Sequence, residues 1–394
     1  MFDIVVVGAR CAGAPVAMLL ARAGQRVALL DRAAFPSDTL STHFLWPRGV
    51  ALLAEWGLLG ELRSRGCRPI PEITFDVGPV QLHGTGGPVD GVNESYCPRR
   101  TVLDTLLVDA AARAGAELIQ GFRVDDIAWS AGRPVGVTGR HRGSSQRSSI
   151  VARYVIGADG LRSTVAAKVG AHPYQFVEPL TCVYYGYWSS VPDQPATFYA
   201  RPGQLILTWP TNDDLTCVYV AWPALEFGNV RVDPQRAFHD AVQQIPSLAE
   251  RLGCGRQETP LRGTRALPNF HRTSAGAGWA LAGDAGHHKD PCTGMGMTDA
   301  FLSAKLLAGC LTSDAADRCG VDDATSCYQQ QRDAASANAH RLTLKTARLA
   351  PPSPRLESLY RAAADYPDVP KRIFDVLGGI RPISHLYEPD LSTP

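Results

Sequence analysis

The sequence lacks the features that would assign it at once to several large classes of protein. Lys and Arg number 39 against 38 Asp and Glu, so the net charge of +1 provides no field that favours nucleic acid or an anionic membrane. No apolar run reaches the roughly 18–20 residues of a membrane span, and the N-terminus shows no basic segment of a signal peptide. The ten cysteines include no C-x-x-C pair, which argues against a zinc site or a disulfide scaffold. These absences predict a cytoplasmic protein without a metal site, and its 394 residues predict two or three domains.

The N-terminal region has the pattern of a strand–turn–helix–strand unit. The short apolar run Phe2–Val7 is typical of a parallel strand that is buried on both faces. The turn Gly8–Gly13 follows, and then an amphipathic helix over Ala14–Ala23. A second apolar strand, Arg26–Leu30, ends on Asp31. This order within about 30 residues is typical of a dinucleotide-binding unit, although a βαβ unit that binds nothing has the same outline.

Each part of this unit has a physical role. Gly8 permits the tight turn, and Gly13 lets the helix pack close to the strand. The free N–H groups at the helix start can hold a pyrophosphate, and Asp31 can accept hydrogen bonds from a ribose. Arg10 stands where the G-x-G-x-x-G fingerprint has its middle glycine, so either the phosphate cradle is wider or the guanidinium itself contacts phosphate. No second fingerprint of this kind is present, which predicts one dinucleotide site.

Two later segments distinguish FAD from NAD as the dinucleotide. The strand-like run Val151–Asp159 leads into Gly160, and the run Trp279–Asp284 ends in the pair Gly283-Asp284. Pro291 and the pair Gly294 and Gly296 follow, and they open a helix that is predicted to continue to about Leu311.

On these motifs the sequence resembles the FAD-dependent monooxygenase superfamily, the class A or aromatic-hydroxylase-like flavoproteins. Three motifs match in order over roughly residues 1–345. They are Gly8–Gly13 with Asp31, Ala158-Asp159-Gly160, and Gly283-Asp284 with Pro291-x-x-Gly294-x-Gly296. Arg100, followed by Leu103, is similar to the flavin-contacting arginine at the start of a helix in this family.

The resemblance implies FAD as cofactor and NAD(P)H as co-substrate. Asp284 would bond a ribityl hydroxyl, Gly294 and Gly296 would let N–H groups approach the isoalloxazine, and Asp159 would serve both the pyrophosphate and transient NADPH. The cofactor-binding residues predicted in this way are Gly8, Arg10, Cys11, Ala12, Gly13, Asp31, Arg32, Arg100, Val124, Asp159, Asp284, Pro291, Gly294, Met295, Gly296 and Met297.

The sequence also departs from the hydroxylases of this family. Thr298 stands where they often carry Asn, and the stretch from Gly294 to Ala308 is closer to geranylgeranyl reductase-like and halogenase-like relatives. The seven tryptophans include no Trp-x-Trp-x-Ile-Pro motif, and no segment matches the reactive lysine of halogenases, which argues against halogenation.

The middle of the chain changes to strand-like periodicity. Thr181–Trp188, Ala196–Ala200, Gln204–Trp209 and Leu215–Trp222 are short runs with turn residues between them, and they predict an antiparallel sheet together with Ile73–Leu82. The predicted fold is therefore α/β, with a Rossmann-like FAD-binding domain (1–72, 100–176 and 275–345), an inserted antiparallel-sheet substrate domain (73–99 and 177–274) and a short C-terminal helical tail (346–394). The tail follows a helix predicted over Ala324–Leu349. The pattern leaves two roles open for the tail, an interface helix and a cover over the active site.

The segment Asp38–Pro47 lies where the resembled family has a loop beside the flavin. His43 in this loop is the predicted catalytic residue, either as a hydrogen-bond donor or as a general base near neutral pH, although a lone histidine is more often structural. The predicted substrate pocket contains Tyr185, Tyr187 and Trp209, each of which could instead be a core residue.

Three further residues, His287, His288 and Lys289, follow the Gly283-Asp284 pair. His287 is interpreted as a scaffold for the flavin loop. His288 and Lys289 are unusual at this place, and they face either the active-site mouth or solvent.

The function implied by the resemblance is that of a single-component flavin monooxygenase. NAD(P)H reduces FAD, O2 adds at C4a, and the hydroperoxide delivers one oxygen atom to an aromatic or polyketide-like small molecule. The alternatives are an FAD-dependent reductase of alkenes, similar to geranylgeranyl reductases, and a flavin-binding protein that senses a ligand without turnover. A homodimer is left open.

Overall fold

The computed structural model describes residues 1–192, 195–313, 321–363, 366 and 368–387. The strands are β1 (Phe2–Val7), β2 (Val27–Asp31), β3 (Pro69–Ile70), β4 (Ile73–Asp76), β5 (Gln81–Gly84), β6 (Ser95–Tyr96), β7 (Glu117–Gln120), β8 (Phe122–Ser130), β9 (Arg133–His141), β10 (Ser148–Gly157), β11 (Pro173–Val177), β12 (Thr181–Ser189), β13 (Ala196–Arg201), β14 (Gln204–Pro210), β15 (Thr216–Pro223), β16 (Arg256–Gln257), β17 (Arg262–Thr264), β18 (Asn269–Arg272), β19 (Ala275–Gly276), β20 (Trp279–Leu281) and β21 (His287–His288). The helices are α1 (Gly13–Arg22), α2 (Pro47–Glu55), α3 (Leu59–Ser64), α4 (Arg100–Arg113), α5 (Thr164–Lys168), α6 (Phe227–Val230), α7 (Pro234–Gln243), α8 (Pro246–Gly253), α9 (Gly296–Leu311), α10 (Val321–Ser326), α11 (Tyr328–Thr346), α12 (Pro354–Ala362) and α13 (Asp368–Leu377).

The first large sheet has β1 at its centre. Its order is β19-β20-β10-β1-β2-β7, and β1 pairs in parallel with both β2 and β10. The β1 residues from Ile4 onward are buried because α1, α4 and α9 pack on one face, while β8, β9 and α5 cover the other. The carboxyl ends of β1, β10 and β20 therefore lie side by side, where parallel sheets bind ligands.

The second large sheet has the order β16-β12-β15-β14-β13-β4-β5, with β17 also paired to β12. One of its faces belongs to an aromatic core that includes Tyr185, Phe198 and Trp209. The other face packs on α7 and α8 through residues such as Ile206 and Val218. The α/β fold class is confirmed, and the domain bounds stay a prediction.

Two predictions about the elements were wrong in detail. The second sheet is not wholly antiparallel, because β13 runs parallel to β4, with Ala196 opposite Ile73. Strand β4 follows β3 and precedes β13 by more than a hundred residues, so no tight turn joins β4 to β13 and sets their relative direction. The helix predicted over Ala324–Leu349 is two helices, α10 and α11, which are interrupted at Cys327.

The described part of the tail packs onto the aromatic core. Ile373 and Phe374 of α13 are buried, and Asp375 accepts a hydrogen bond from the N–H of Gly87 at 2.6 Å. A Cβ placed on Gly379 would lie 3.4 Å from the Met295 side chain, so the tail reaches a residue predicted to bind the cofactor. The end of the predicted tail, 388–394, lies outside the described residues. Among the residues described, none of the helices has both the length and the apolar character needed to cross a membrane.

Candidate cofactor and substrate site

The loop after β1 has the geometry of a backbone cradle for an anion. Gly8 has a φ of +100°, and a Cβ there would lie 2.3 Å from the carbonyl oxygen of Ala158. A Cβ on Gly13 would lie 1.7 Å from the Gly8 carbonyl oxygen, so only glycine lets α1 begin this close to the strand. No described side chain caps α1, and the first N–H groups of a helix have no intrahelical partner. These N–H groups can therefore bind an anion.

Arg10 occupies the position of the middle glycine, and its guanidinium is engaged by protein groups. It donates to the carboxylate of Asp104 and to the Ser37 hydroxyl at 2.6 Å. Arg100 donates from Nε to the same carboxylate at 3.0 Å, and the Cys11 thiol lies 3.4 Å from it. Asp104 is fully buried, so one carboxylate holds two guanidinium groups. No motif predicts this role; the only signal is the i, i+4 spacing of Arg100 and Asp104 on α4.

The Cys11 thiol is not a reactive group in this environment. Burial raises the pKa of Cys11 to about 12, so the thiol stays protonated near neutral pH. It packs beside the cradle rather than offering a thiolate.

Asp31 ends β2 as the sequence predicts, but its oxygens already have partners. The carboxylate accepts hydrogen bonds from the backbone N–H groups of Ala9 and Ala33, both at 2.8 Å. A carboxylate has further lone pairs, so it can still accept from a ribose hydroxyl. Arg32 is exposed beside it, and Val124 is buried on β8.

Asp159 has a local role in the structure. Its carboxylate accepts from the Ser163 hydroxyl at 2.5 Å and from the N–H groups of Thr164 and Val165 at 2.6 and 3.2 Å. Burial raises the pKa of Asp159, and these hydrogen bonds oppose the rise. The residue therefore holds the start of α5, while its contact with pyrophosphate and NADPH stays a prediction.

The second loop lies at the carboxyl end of β20. Asp284 is half-buried in the short turn that follows the strand. Gly294 has a φ of +66°, and a Cβ there would lie 3.1 Å from the Cβ of Phe44. Gly296 is exposed at the start of α9, where a Cβ would meet nothing within 4 Å and no described side chain caps the helix. Helix α9 therefore presents free N–H groups to open space, beside half-buried Pro291. The neighbours Met295 and Met297 are buried.

His43 comes together with Tyr185 and Tyr187 although it is more than 140 residues from them in the chain. The Nε2 of His43 lies 2.8 Å from the Tyr187 hydroxyl, a separation of 144 residues, and the His43 and Tyr185 ring centroids are 5.7 Å apart. His43 is fully buried, with a φ of +62° that is uncommon for a residue other than glycine. The Nδ1 of His43 and the Tyr185 hydroxyl have no partner at normal hydrogen-bond geometry among the described residues, although the Ser41 backbone and the Arg262 guanidinium lie close enough to shift the pKa values of these side chains.

These three side chains are electrically neutral near pH 7. Burial, with the positive charge of Arg100, lowers the pKa of His43 to about 3, and the Ser41 backbone opposes that fall. Burial also raises the pKa of Tyr185 to about 12 and that of Tyr187 above its usual range. The neutral imidazole therefore suits hydrogen bonding to a ligand better than the general-base role near neutral pH that the sequence had suggested.

Trp209 lies deeper in the same core. Its ring packs on Phe44 at a centroid distance of 5.0 Å and on Phe198 at 5.8 Å, and it is almost fully buried. Phe44 in turn contacts the Gly294 turn, and the Trp46 indole N–H donates to the carbonyl of Thr293 at 2.8 Å. Trp209 thus forms the wall behind the segment that carries His43.

His288 and Lys289 do not lie in a solvated loop, because both are buried. Lys289 forms an ion pair with Asp299, which is in the first turn of α9. No motif indicates this pair, and burial of a lysine is rare enough that sequence patterns do not predict it.

His287 packs in a cluster with His271 and His340. The rings of His271 and His287 stack at 4.2 Å and 15°, and the Nε2 of His287 lies 3.1 Å from the Nδ1 of His340. Burial lowers the pKa of all three, and the charge of Lys289 adds to this effect. The ligand nitrogens of the three rings all lie within 4.8 Å of one another, a spacing that could hold a metal ion, but the positive charge of Lys289 beside them opposes a cation there.

The residues at the two loops fit FAD. The uncapped start of α1 suits a pyrophosphate, Asp31 suits a ribose, Asp284 suits a polyol hydroxyl, and the open space at Gly296 suits a flat ring with carbonyl acceptors. The two loops follow β1 and β20, which lie on either side of β10, so both loops are at the same edge of the sheet, as one extended dinucleotide requires.

Comparison with known proteins gives the same picture. The profile of the family described as FAD binding domain matches residues 1–341. The chain is 26% identical over 368 residues to the digeranylgeranylglycerophospholipid reductase 2 of Methanopyrus kandleri, covering 88% of this chain and 86% of that protein. It is also 26% identical over 313 residues to the 6-methylpretetramide 4-monooxygenase of Streptomyces rimosus, covering 77% and 73%. The solved structure of the flavin-dependent brominase Bmp2 superimposes with a TM-score of 0.83 at 16% identity, covering 96% of this chain and 93% of that one, which shows a shared fold.

Proposed function

Because the chain belongs to the FAD binding domain family, we propose that this flavin-dependent oxidoreductase is an NAD(P)H-consuming monooxygenase. It inserts one oxygen atom from O2 into an aromatic or polyketide-like small molecule. The observation that carries the proposal is the buried His43–Tyr187 pair beside Tyr185, because its unpartnered polar atoms suit a hydroxyl or carbonyl on an aromatic ring. The similarity to the Streptomyces rimosus monooxygenase supports the same class of reaction. A cytoplasmic location and a place in secondary metabolism are part of the proposal.

When bound, FAD would supply the redox chemistry between NAD(P)H and O2. The chain holds it at four places. The start of α1 binds the pyrophosphate, Asp31 the ribose, Asp284 the ribityl chain, and the N–H groups at Gly296 the ring. Asp104 contributes indirectly, because it fixes Arg10 within the first loop.

The substrate site orients its ligand by neutral hydrogen bonds. The Nδ1 of His43 and the hydroxyl of Tyr185 bind polar substituents of the substrate, and Tyr187 fixes the imidazole ring. The wall formed by Phe44 and Trp209 excludes water from the space next to the Gly294 turn.

An FAD-dependent reductase of alkenes is the second candidate function. It is favoured by the Methanopyrus kandleri relative, which is named as a reductase and aligns over 88% of this chain, and by Thr298 in the cofactor loop in place of Asn. The same cofactor site would serve this reaction, so the fold does not separate the two.

Flavin reduction and isotope transfer distinguish these functions. The FAD-loaded protein is mixed anaerobically with NADPH or NADH, with and without a panel of phenols and polycyclic aromatics, and flavin absorbance is followed. The mixture is then exposed to ¹⁸O2, and products are weighed by mass spectrometry. We expect one panel member to accelerate reduction and to gain one ¹⁸O atom. Reduction only by dithionite, with saturation of an isoprenoid alkene in the absence of O2, would replace the monooxygenase by the reductase.

A further inference from the structure

Lys289 is an ammonium group that is buried with one charged partner. Its side chain is 2% exposed, and Asp299 is its ion-pair partner among the described residues. An ammonium group has three donors, and beyond its short contact with Asp299 the Nζ of Lys289 has no hydrogen-bond partner within the described chain. Because a buried charge is costly unless it is paired and hydrogen-bonded, this group is suited to a further partner.

The space beside Lys289 leads to the proposed cofactor site. A narrow cavity of about 20 Å³, which has room for about one water molecule, is lined by Lys289, Asp299, Asp284 and Gly296. Asp284 and Gly296 are the residues whose geometry fits the ribityl chain and the ring of FAD. Burial raises the pKa of Asp299, and the negative charge of Asp284 adds to this rise.

We propose that Lys289 is an electrostatic determinant of the reduction potential of the bound flavin, and that Asp299 positions it. The inference deepens the proposed function and rests on FAD binding at this site. Reduced flavin carries more negative charge than oxidised flavin, so a fixed ammonium across a water-sized cavity stabilises the reduced form more. Asp299 partly offsets the effect of the Lys289 charge on the cofactor site, because the two side chains form an ion pair. Lys289 therefore favours electron transfer from NAD(P)H into the flavin.

The test compares two lysines that are both paired to an acid and lie close to α9. Lys289→Met removes the buried charge, and Lys289→Arg retains it. Lys305→Met is the matched control, because Lys305 is on α9, pairs with Glu55 and is about half exposed. The flavin midpoint potential of each FAD-loaded protein is measured by equilibration with a reference dye, and FAD affinity is measured by titration of the apoprotein.

We expect Lys289→Met to bind reduced FAD about tenfold less favourably relative to oxidised FAD, which lowers the midpoint potential by about 30 mV for a two-electron couple. Lys289→Arg and Lys305→Met should stay near the wild-type value. A Lys289→Met protein that holds FAD at an unchanged potential overturns the proposal. If this variant binds FAD weakly, the dissociation constants of the two redox forms give the same quantity, and equal weakening of both also overturns it.

The measurement separates this proposal from the proposed function. The potential requires bound FAD and no substrate, so a protein that inserts no oxygen still reports on Lys289. Failure of the wild-type chain to bind FAD would remove the premise that the two proposals share.

Discussion

Replacement of Asp104 should destabilise the protein more than replacement of any exposed acid on the same helix. The side chain is fully buried and receives hydrogen bonds from Arg10 and Arg100, whose side chains are 25% and 10% exposed. Asp104→Ala leaves both guanidinium groups without this counter-charge in a region of low dielectric. Removing one partner of a buried ion pair typically lowers the free energy of unfolding by about 3–5 kcal/mol. Because whole proteins are stable by only about 5–15 kcal/mol, this loss is a large fraction of the total.

The assay is urea unfolding of the FAD-saturated protein, followed by tryptophan fluorescence. Asp104→Asn retains one acceptor oxygen and should lose about half as much as Asp104→Ala. Asp109→Ala is the control, because Asp109 is also on α4 but is 43% exposed and pairs with Arg65 at the surface. Such a surface pair contributes about 0–1 kcal/mol. Equal losses for Asp104→Ala and Asp109→Ala would refute the reasoning that one buried carboxylate holds the N-terminal loop to α4.

Three further predictions address the cradle, the substrate site and the histidine cluster. Gly13→Ala should abolish FAD absorbance in the purified protein, because its Cβ would meet the Gly8 carbonyl oxygen. The control is Gly60→Ala on α3, where a Cβ has open space; this variant should melt within a few degrees of the wild type. Tyr187→Phe should weaken substrate binding about tenfold, because about one buried hydrogen bond is lost, and the substrate-induced change in flavin absorbance measures this affinity. Tyr184→Phe, on the opposite face of β12, should leave the affinity unchanged. Burial lowers the pKa of His340 to about 4, so the unfolded chain binds more protons between about pH 6.5 and 4, and stability should fall as the pH is lowered from 7 to 5. His340→Gln should reduce that fall by about 1–2 kcal/mol in urea unfolding at the two pH values, and an unchanged pH dependence would contradict the assignment.

The first sheet and most of the second could be predicted because hydrophobic periodicity is local. The runs that became β1, β2 and β12–β15 were bounded by turn residues, so their existence followed from the sequence. Strand direction is not local, which is why the parallel pairing of Ile73 with Ala196 was missed. The break at Cys327 was missed because no Pro or Gly marks it between Val321 and Thr346.

The site could be predicted in part for the same physical reason. Glycine motifs indicate backbone geometry, so the Gly8 and Gly296 loops were found from the sequence. His43 and Tyr187 were singled out separately, and their hydrogen bond depends on which face of β12 points inward, which a shift of one residue would reverse. Asp104 and the ion pair of Lys289 escaped notice because their importance comes from burial and from partners that lie on other elements.

The late pairing of β20 with β10 in the first sheet has a consequence for synthesis of the chain. Strand β10 is made more than a hundred residues before β20, which pairs with its free edge. At about 5–20 residues per second, a ribosome needs roughly 6–25 s to add the residues between Gly157 and Leu281. During this interval the nascent chain carries an apolar strand with unpaired backbone groups, which can pair with other chains. The yield of folded protein should therefore depend on how well chaperones shield the unpaired edge of β10 during translation, in addition to the stability of the finished fold.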